Sequence, residues 1–185
     1  TKRPLAIRSS SKLEDSYYQP FAGVYSTYMI PHTENEDQQL RMLGKAIKSV
    51  YASVYFAASR GYIISTGNLP SEEKMAIVLQ EVCGEAEGNY YFPVISGVAR
   101  SINFYPVGKE KPEDGIVKIA YGLGKAVVDG EQVLRFSPKY PKNVMQTSTL
   151  DLAMRETQQS MLALSLSPEK FKTSIDDAVN LERIP

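Results

Sequence analysis

Apolar residues recur at spacings of three and four between Asp37 and Arg60: Leu40, Leu43, Ile47, Val50, Val54 and Ala58, with Lys45, Lys48 and Ser49 between them. That period predicts one long amphipathic helix over 37–60. Thr33 or Asn35 can cap its start and Gly61 can end it. Elsewhere the pattern is one of short strands. Leu5-Ala6-Ile7 reads as the end of a buried strand that delivers Arg8 to an exposed edge. Residues 74–82 (KMAIVLQEV) predict a buried strand, with a helix capped by Ser71 as the alternative. Residues 92–105 alternate like a strand in which Gly97 marks a bulge or close approach. Residues 115–121 alternate cleanly, and 133–136 form a short strand. The stretch 62–73, with Gly67, Asn68 and Pro70, reads as a loop, 84–89 as a polar turn and 106–114 as a charged loop. Residues 151–166 fit either helix or strand, and 167–182 are mostly polar. One long helix among antiparallel-looking strands, without regular βαβ alternation, predicts a mixed α+β fold.

Composition narrows the function classes. A chain of 185 residues suits one domain, or two lobes of one catalytic unit. Its 21 basic and 21 acidic residues cancel, and no polybasic run stands out, which argues against a nucleic-acid or membrane-surface protein. No apolar run approaches the roughly 18 residues that span a bilayer, and no signal segment opens the chain. The single cysteine, Cys83, excludes an internal disulfide and a multi-cysteine zinc site. It fits a reducing compartment, so a soluble, cytoplasmic protein is expected. The single histidine, His32, excludes a histidine-rich metal site. The chain opens at Thr1 rather than Met and stops at Pro185 without a terminating feature, which suggests a piece of a longer protein.

Candidate chemistry concentrates in residues 4–28. An Arg-Ser-Ser-Ser run, the acidic pair Glu14 and Asp15, and a Phe-Ala-Gly turn (Phe21, Ala22, Gly23) are residue types that hold phosphate and its metal ion. Arg8 offers a planar fork to phosphate oxygens and stays charged at any relevant pH. Ser9, Ser10 and Thr27 can add hydroxyls, and Glu14 and Asp15 can position the loop or pair with Arg8. An anion site, for a nucleotide, is the expectation. His32 lies in a Met-Ile-Pro-His-Thr turn with no motif around it, and Cys83 has no histidine partner in a motif. Neither is expected to carry chemistry.

The run AIRSSSKLEDSYYQPFAGVYSTYM resembles the ATP-binding domain of phosphoenolpyruvate synthase (pyruvate, water dikinase). Pyruvate phosphate dikinase, the glucan water dikinases and the rifampin phosphotransferases share that domain. Arg8, Ser9, Ser10, Glu14, Asp15, Phe21, Ala22, Gly23 and Thr27 fall in register with the family's run without a gap. SVYASVYF, AIVLQEV and GIVKIAYGLGKAVVDGE follow in the family's order, so the resemblance covers about residues 4–140.

It implies an ATP-grasp fold whose two lobes take up about 1–70 and 71–185. ATP and Mg²⁺ are the implied cofactors. Arg8 is the implied catalytic residue, also binding nucleotide with Ser9, Ser10, Gly23 and Thr27, while Gln80 and Val82 mark the strand that meets the adenine. In such enzymes ATP phosphorylates a histidine on a separate swivelling domain, which passes the phosphoryl group to pyruvate.

The chain departs from the family in carrying Lys125 where an acid is usual, and in the expanded run GVARSINFYP. The family's phosphate-binding lysine, its D-x-E…Q metal-holding segment and its Thr-Ser-His motif are not found in these residues. The 185 residues alone are therefore expected to be inactive. Two other readings share these features: the same ATP half-reaction with a glucan or an antibiotic as acceptor, or a nucleotide-sensing module without the reaction.

Overall fold

The computed structural model describes residues 2–14 and 23–185. In chain order its elements are β1 (Leu5–Ser11), β2 (Tyr28–Ile30), α1 (Glu36–Ser53), α2 (Ala57–Ser65), β3 (Met75–Glu81), β4 (Glu85–Glu87), β5 (Tyr90–Phe92), β6 (Ile95–Arg100), β7 (Ile116–Tyr121), α3 (Lys125–Val128), β8 (Leu134–Phe136), α4 (Leu150–Glu156), β9 (Met161–Ser165) and β10 (Leu181–Ile184). This is the mixed α+β fold with antiparallel sheets that the pattern predicts. It divides into two compact units, one of Thr1–Tyr91 with Leu164–Glu182 and one of Phe92–Ala163 with Arg183–Pro185.

In the first unit α1 packs on a three-stranded sheet of order β2-β1-β3. Asn35 is the cap: its side chain accepts from the Gln38 N–H at 3.0 Å, and Glu36 and Asp37 follow in the first turn, where a carboxylate favours the helix N-terminus. The buried stripe is Met42, Ala46 and Val50, at i, i+4 and i+8, and it meets Ile7, Tyr28 and Ile30 from the sheet. The expected stripe is therefore corrected by a small rotation. Leu40 is outside it and exposed, while Leu43 and Ile47 flank it.

The helix predicted over 37–60 is two helices. Buried Ser53 donates to the Val50 carbonyl and accepts from the Ser26 N–H, and the N–H groups of Tyr55 and Phe56 take carbonyls three residues back. That tightening ends α1. Phe56 is extended, and α2 restarts with Gly61 inside it rather than at its end. Residues 62–65, expected as loop, belong to α2.

Strand β3 exists, but it is not buried. It is the outer strand of its sheet, and Val78 and Leu79 are exposed. The polar stretch 84–89 contains the short strand β4 as well as its turn. Beyond it lies a four-stranded sheet of order β10-β9-β5-β4, with Tyr90 opposite Ser165. The Tyr90 hydroxyl donates to Glu182 at 2.9 Å. That bond raises the pKa of Tyr90 and holds the Glu182 carboxyl below its ordinary value.

The second unit holds the sheet β6-β7-β8. Gly97 is a close approach, since a Cβ there would sit 2.6 Å from the Lys118 carbonyl oxygen. Of the strand predicted over 92–105, Phe92 ends β5 and only Ile95–Arg100 forms β6. Asn103 is buried, its amide donating to Glu110 and its oxygen accepting from the Tyr105 N–H and the Arg135 guanidinium, so the chain folds into a braced loop instead. The ambiguous stretch 151–166 is both things in turn. Thr149 caps α4, accepting from the Leu152 N–H, and β9 follows with Leu162 to Ser165 buried.

Candidate functional site

The geometry around Arg8 follows from strand alternation. Along β1 the side chains of Ile7, Ser9 and Ser11 share one face, and those of Ala6, Arg8 and Ser10 the other. Ile7 is drawn into the core under α1, so Arg8 is turned to the opposite face and is exposed. Strand β3 runs antiparallel to β1, with Arg8 opposite Val78 and Ala6 opposite Gln80. Gln80 is then the diagonal neighbour of Arg8, and Arg8 Nη1 donates to Gln80 Oε1 at 3.1 Å. Two of the residues singled out in the sequence are thus brought together, seventy-two positions apart in the chain. The partner is a neutral amide. Arg8 enters no ion pair with any described residue, so its charge is left available on an open sheet face.

Glu14 is committed elsewhere. Its carboxylate accepts from the Ser9 hydroxyl at 2.9 Å and from the Ser11 N–H at 3.0 Å, and the Ser11 hydroxyl accepts from the Glu14 N–H at 3.1 Å. This reciprocal pair is a capping box closing the turn that leaves β1. Its signal, Ser-x-x-Glu at residues 11–14, stands in the sequence directly after the Arg-Ser-Ser run. Of the two roles open to Glu14, it positions the loop rather than pairing with Arg8. Glu14→Ala is expected to cost about 1–2 kcal/mol, because the Ser11 N–H and the Ser9 hydroxyl lose a partly buried acceptor. Urea unfolding measures it, and a midpoint equal to the wild type's would show that the box contributes nothing.

Ser10 lies on the Arg8 face, half-buried. Gly23 has φ of 80°, the left-handed region that favours glycine. Asp15, Phe21 and Ala22 lie outside the described residues. Thr27 stands one residue before β2, its N–H donating to Asp177 Oδ2 at 2.7 Å. Val82 is buried; its N–H donates to the Pro4 carbonyl at 2.9 Å and its carbonyl accepts from the Tyr91 hydroxyl at 3.0 Å. Both of its backbone groups therefore serve the fold. Just past Gly23, the Tyr25 hydroxyl donates to Glu73, and burial, then this carboxylate, push the phenol's pKa up.

The Gly122-Leu123-Gly124 turn has structural work within its unit. Leu123 is buried, its N–H donates to the Leu162 carbonyl at 2.8 Å, and Gly122 has φ of 78° against the backbone of β9. Lys125 pairs with Asp129 at 3.2 Å, one helical turn on. His32 lies 3.4 Å from Glu34, and Cys83 is exposed. Among the described residues no three His, Cys, Asp or Glu side chains are grouped so as to hold a metal ion. No helix among them is long and apolar enough to cross a membrane.

Two comparisons bear on this arrangement. The family described as "Pyruvate phosphate dikinase, AMP/ATP-binding domain" matches residues 1–180. An uncharacterized phosphotransferase, YvkC, from Bacillus subtilis (strain 168) is 35% identical over 128 residues, which is 69% of this chain and 13% of that protein. The chain therefore spans about an eighth of the length of this relative.

Proposed function

Because the chain belongs to the pyruvate phosphate dikinase AMP/ATP-binding domain family, we propose that it forms the ATP-binding part of a phosphoenolpyruvate synthase-like dikinase. The observation that carries the reading is Arg8: an exposed guanidinium, anchored at one nitrogen by Gln80 and paired with no described carboxylate. Phosphoryl transfer asks little covalent work of the protein, so fixed positive charge and positioning supply most of the catalysis. Arg8 holds the triphosphate through the N–H groups that Gln80 leaves unused. Ser10 and Thr27 offer further donors, while Ser9, on the other face of β1, contributes by holding the Glu14 turn. Gly23 lets the backbone come close to the phosphates. Strand β3 meets the adenine at Gln80, while Val82 holds the end of that strand in place.

ATP arrives with Mg²⁺, whose chemistry is to shield charge on the phosphate oxygens. Such an ion is held by one or two carboxylates together with the phosphates; among the described residues no three metal-ligating side chains are grouped. In the parent enzyme the phosphoryl group passes to a histidine on a swivelling domain and then to pyruvate. The overall change is ATP, pyruvate and water to phosphoenolpyruvate, AMP and phosphate. In this reading the 1–70 and 71–185 segments contribute to the two lobes that close on ATP, with β3 of the second segment paired to β1 of the first.

The test is an assay of the full-length protein with ATP and pyruvate. Equal amounts of phosphoenolpyruvate and AMP are expected, and none from the isolated 185 residues. ATP consumed without phosphoenolpyruvate would remove pyruvate as acceptor, and phosphoenolpyruvate made by the isolated chain would overturn the division of labour.

A further inference from the structure

In the second unit two cations face each other across one rung of the sheet. The β7–β8 register sets Lys118 directly opposite Arg135. Directly opposite residues share a face with Cβ atoms about 4.5–5.5 Å apart, and like charges there repel. Both residues also line one open cavity of about 350 Å³, large enough for a small metabolite.

Arg135 is held ready. Its Nη2 donates to Asn103 Oδ1 at 3.0 Å and to the Tyr105 carbonyl at 2.5 Å, and its backbone N–H donates to Gln146 Oε1 at 2.8 Å. Gln146 is fixed in turn by the carbonyls of Val133 and Glu156. Every one of these acceptors is neutral, so the guanidinium is oriented without being discharged, and its Nε and Nη1 hydrogens remain. Lys118 enters no ion pair with any described residue.

Two carboxylates also line the cavity. Glu131 is taken by both terminal nitrogens of Arg183, at 3.1 and 2.5 Å. Glu156 enters no ion pair with any described residue.

We propose that this cavity is an oxyanion site in which Lys118 and Arg135 together hold the phosphoryl group of a small metabolite. Glu156 accepts from a hydroxyl or amine of the same molecule. A phosphomonoester carries a charge of about −1.5 to −2 at neutral pH, which matches two cations; a monocarboxylate matches one. The Nη1 hydrogens that Arg135 keeps can donate to a phosphate oxygen, and Lys118 adds a movable point charge. The bound anion also removes the repulsion that the register imposes.

The experiment is isothermal titration of inorganic phosphate, and separately of acetate, into the full-length protein. The protein carries Arg8→Ala so that the nucleotide site proposed above does not contribute. Phosphate is expected to bind about tenfold or more tighter than acetate. Adding Lys118→Met should weaken phosphate by about tenfold or more, and Lys118→Arg should restore it. In phosphate-free buffer Lys118→Met should melt no lower than its parent, because a like-charge contact has been removed, whereas a lysine with a structural role would lower the midpoint. Phosphate generally favours folded states, so the melting comparison is made without it. No phosphate binding at tens of millimolar, equal binding in the Lys118→Met protein, or a lowered midpoint in phosphate-free buffer would overturn the proposal. Each of these leaves the reading of Arg8 untouched.

Discussion

Gly122→Ala is expected to destabilise the second unit by about 3 kcal/mol or more, a fall in Tm of roughly 6–12 °C for a chain of this size. Two costs add. At φ of 78° any Cβ is strained, at about 1–2 kcal/mol. The added carbon would also stand 2.5 Å from the Leu162 carbonyl oxygen and 3.2 Å from its nitrogen, both backbone atoms of β9 that cannot swing aside. Either the turn or the strand must move. That breaks the bond from the Leu123 N–H to Leu162, and the Ser96 hydroxyl bond to the Gly122 carbonyl at 2.7 Å is at risk with it. Gly130→Ala is the matched control. It has nearly the same φ, 76°, with nothing within 4 Å of the added carbon, so it should show the strain alone, about 1–2 kcal/mol. Differential scanning calorimetry separates the two, and equal losses would show that the approach to β9 is not tight.

Arg8→Ala is expected to weaken ATP by about 10- to 100-fold while leaving stability within about 0.5 kcal/mol of the wild type. The first figure is that of a charge-assisted hydrogen bond to phosphate, at about 1.5–3 kcal/mol, with each 1.4 kcal/mol worth a factor of ten. The second follows from an exposed side chain with one hydrogen bond, to Gln80. Arg8→Lys should fall between, since it keeps the charge and loses the planar fork. Titration calorimetry with ATP and urea unfolding measure the two quantities on the same samples. An unchanged affinity would take Arg8 out of the phosphate role, and a large loss of stability would make it structural.

The strongest periodic signals in the chain survive in the structure, and their errors have physical causes. The long helix was legible because a three-to-four spacing over many residues has no strand counterpart, and Asn35 caps it as its residue type allows. Its end was not legible. The break depends on the buried hydroxyl of Ser53 and on a bond from Ser26, which is distant in sequence. Strand β3 reads as buried because Ile77, Val78 and Leu79 are consecutive apolar residues, yet its position at the outside of the sheet leaves Val78 and Leu79 exposed. An apolar run states hydrophobicity and not what covers it.

The site divides the same way. That Arg8 belongs on an open face follows from Ile7 being apolar and from strand alternation. That Gln80 reaches it follows from an antiparallel register that no local pattern carries. Glu14 was legible in kind, as an acid beside hydroxyls, and the three-residue spacing to Ser11 settles its role as a cap. The opposed cations Lys118 and Arg135 left no trace in the sequence, because their pairing exists only in the register of β7 and β8.

If nucleotide binds on the open face formed by β1 and β3 around Arg8, hydrogen–deuterium exchange of the full-length protein with and without ATP will record it. ATP should slow exchange in the peptides covering residues 5–14 and 75–82, and Arg8→Ala should abolish that protection at the same ATP concentration. Protection elsewhere in the chain with none in these two strands would contradict it.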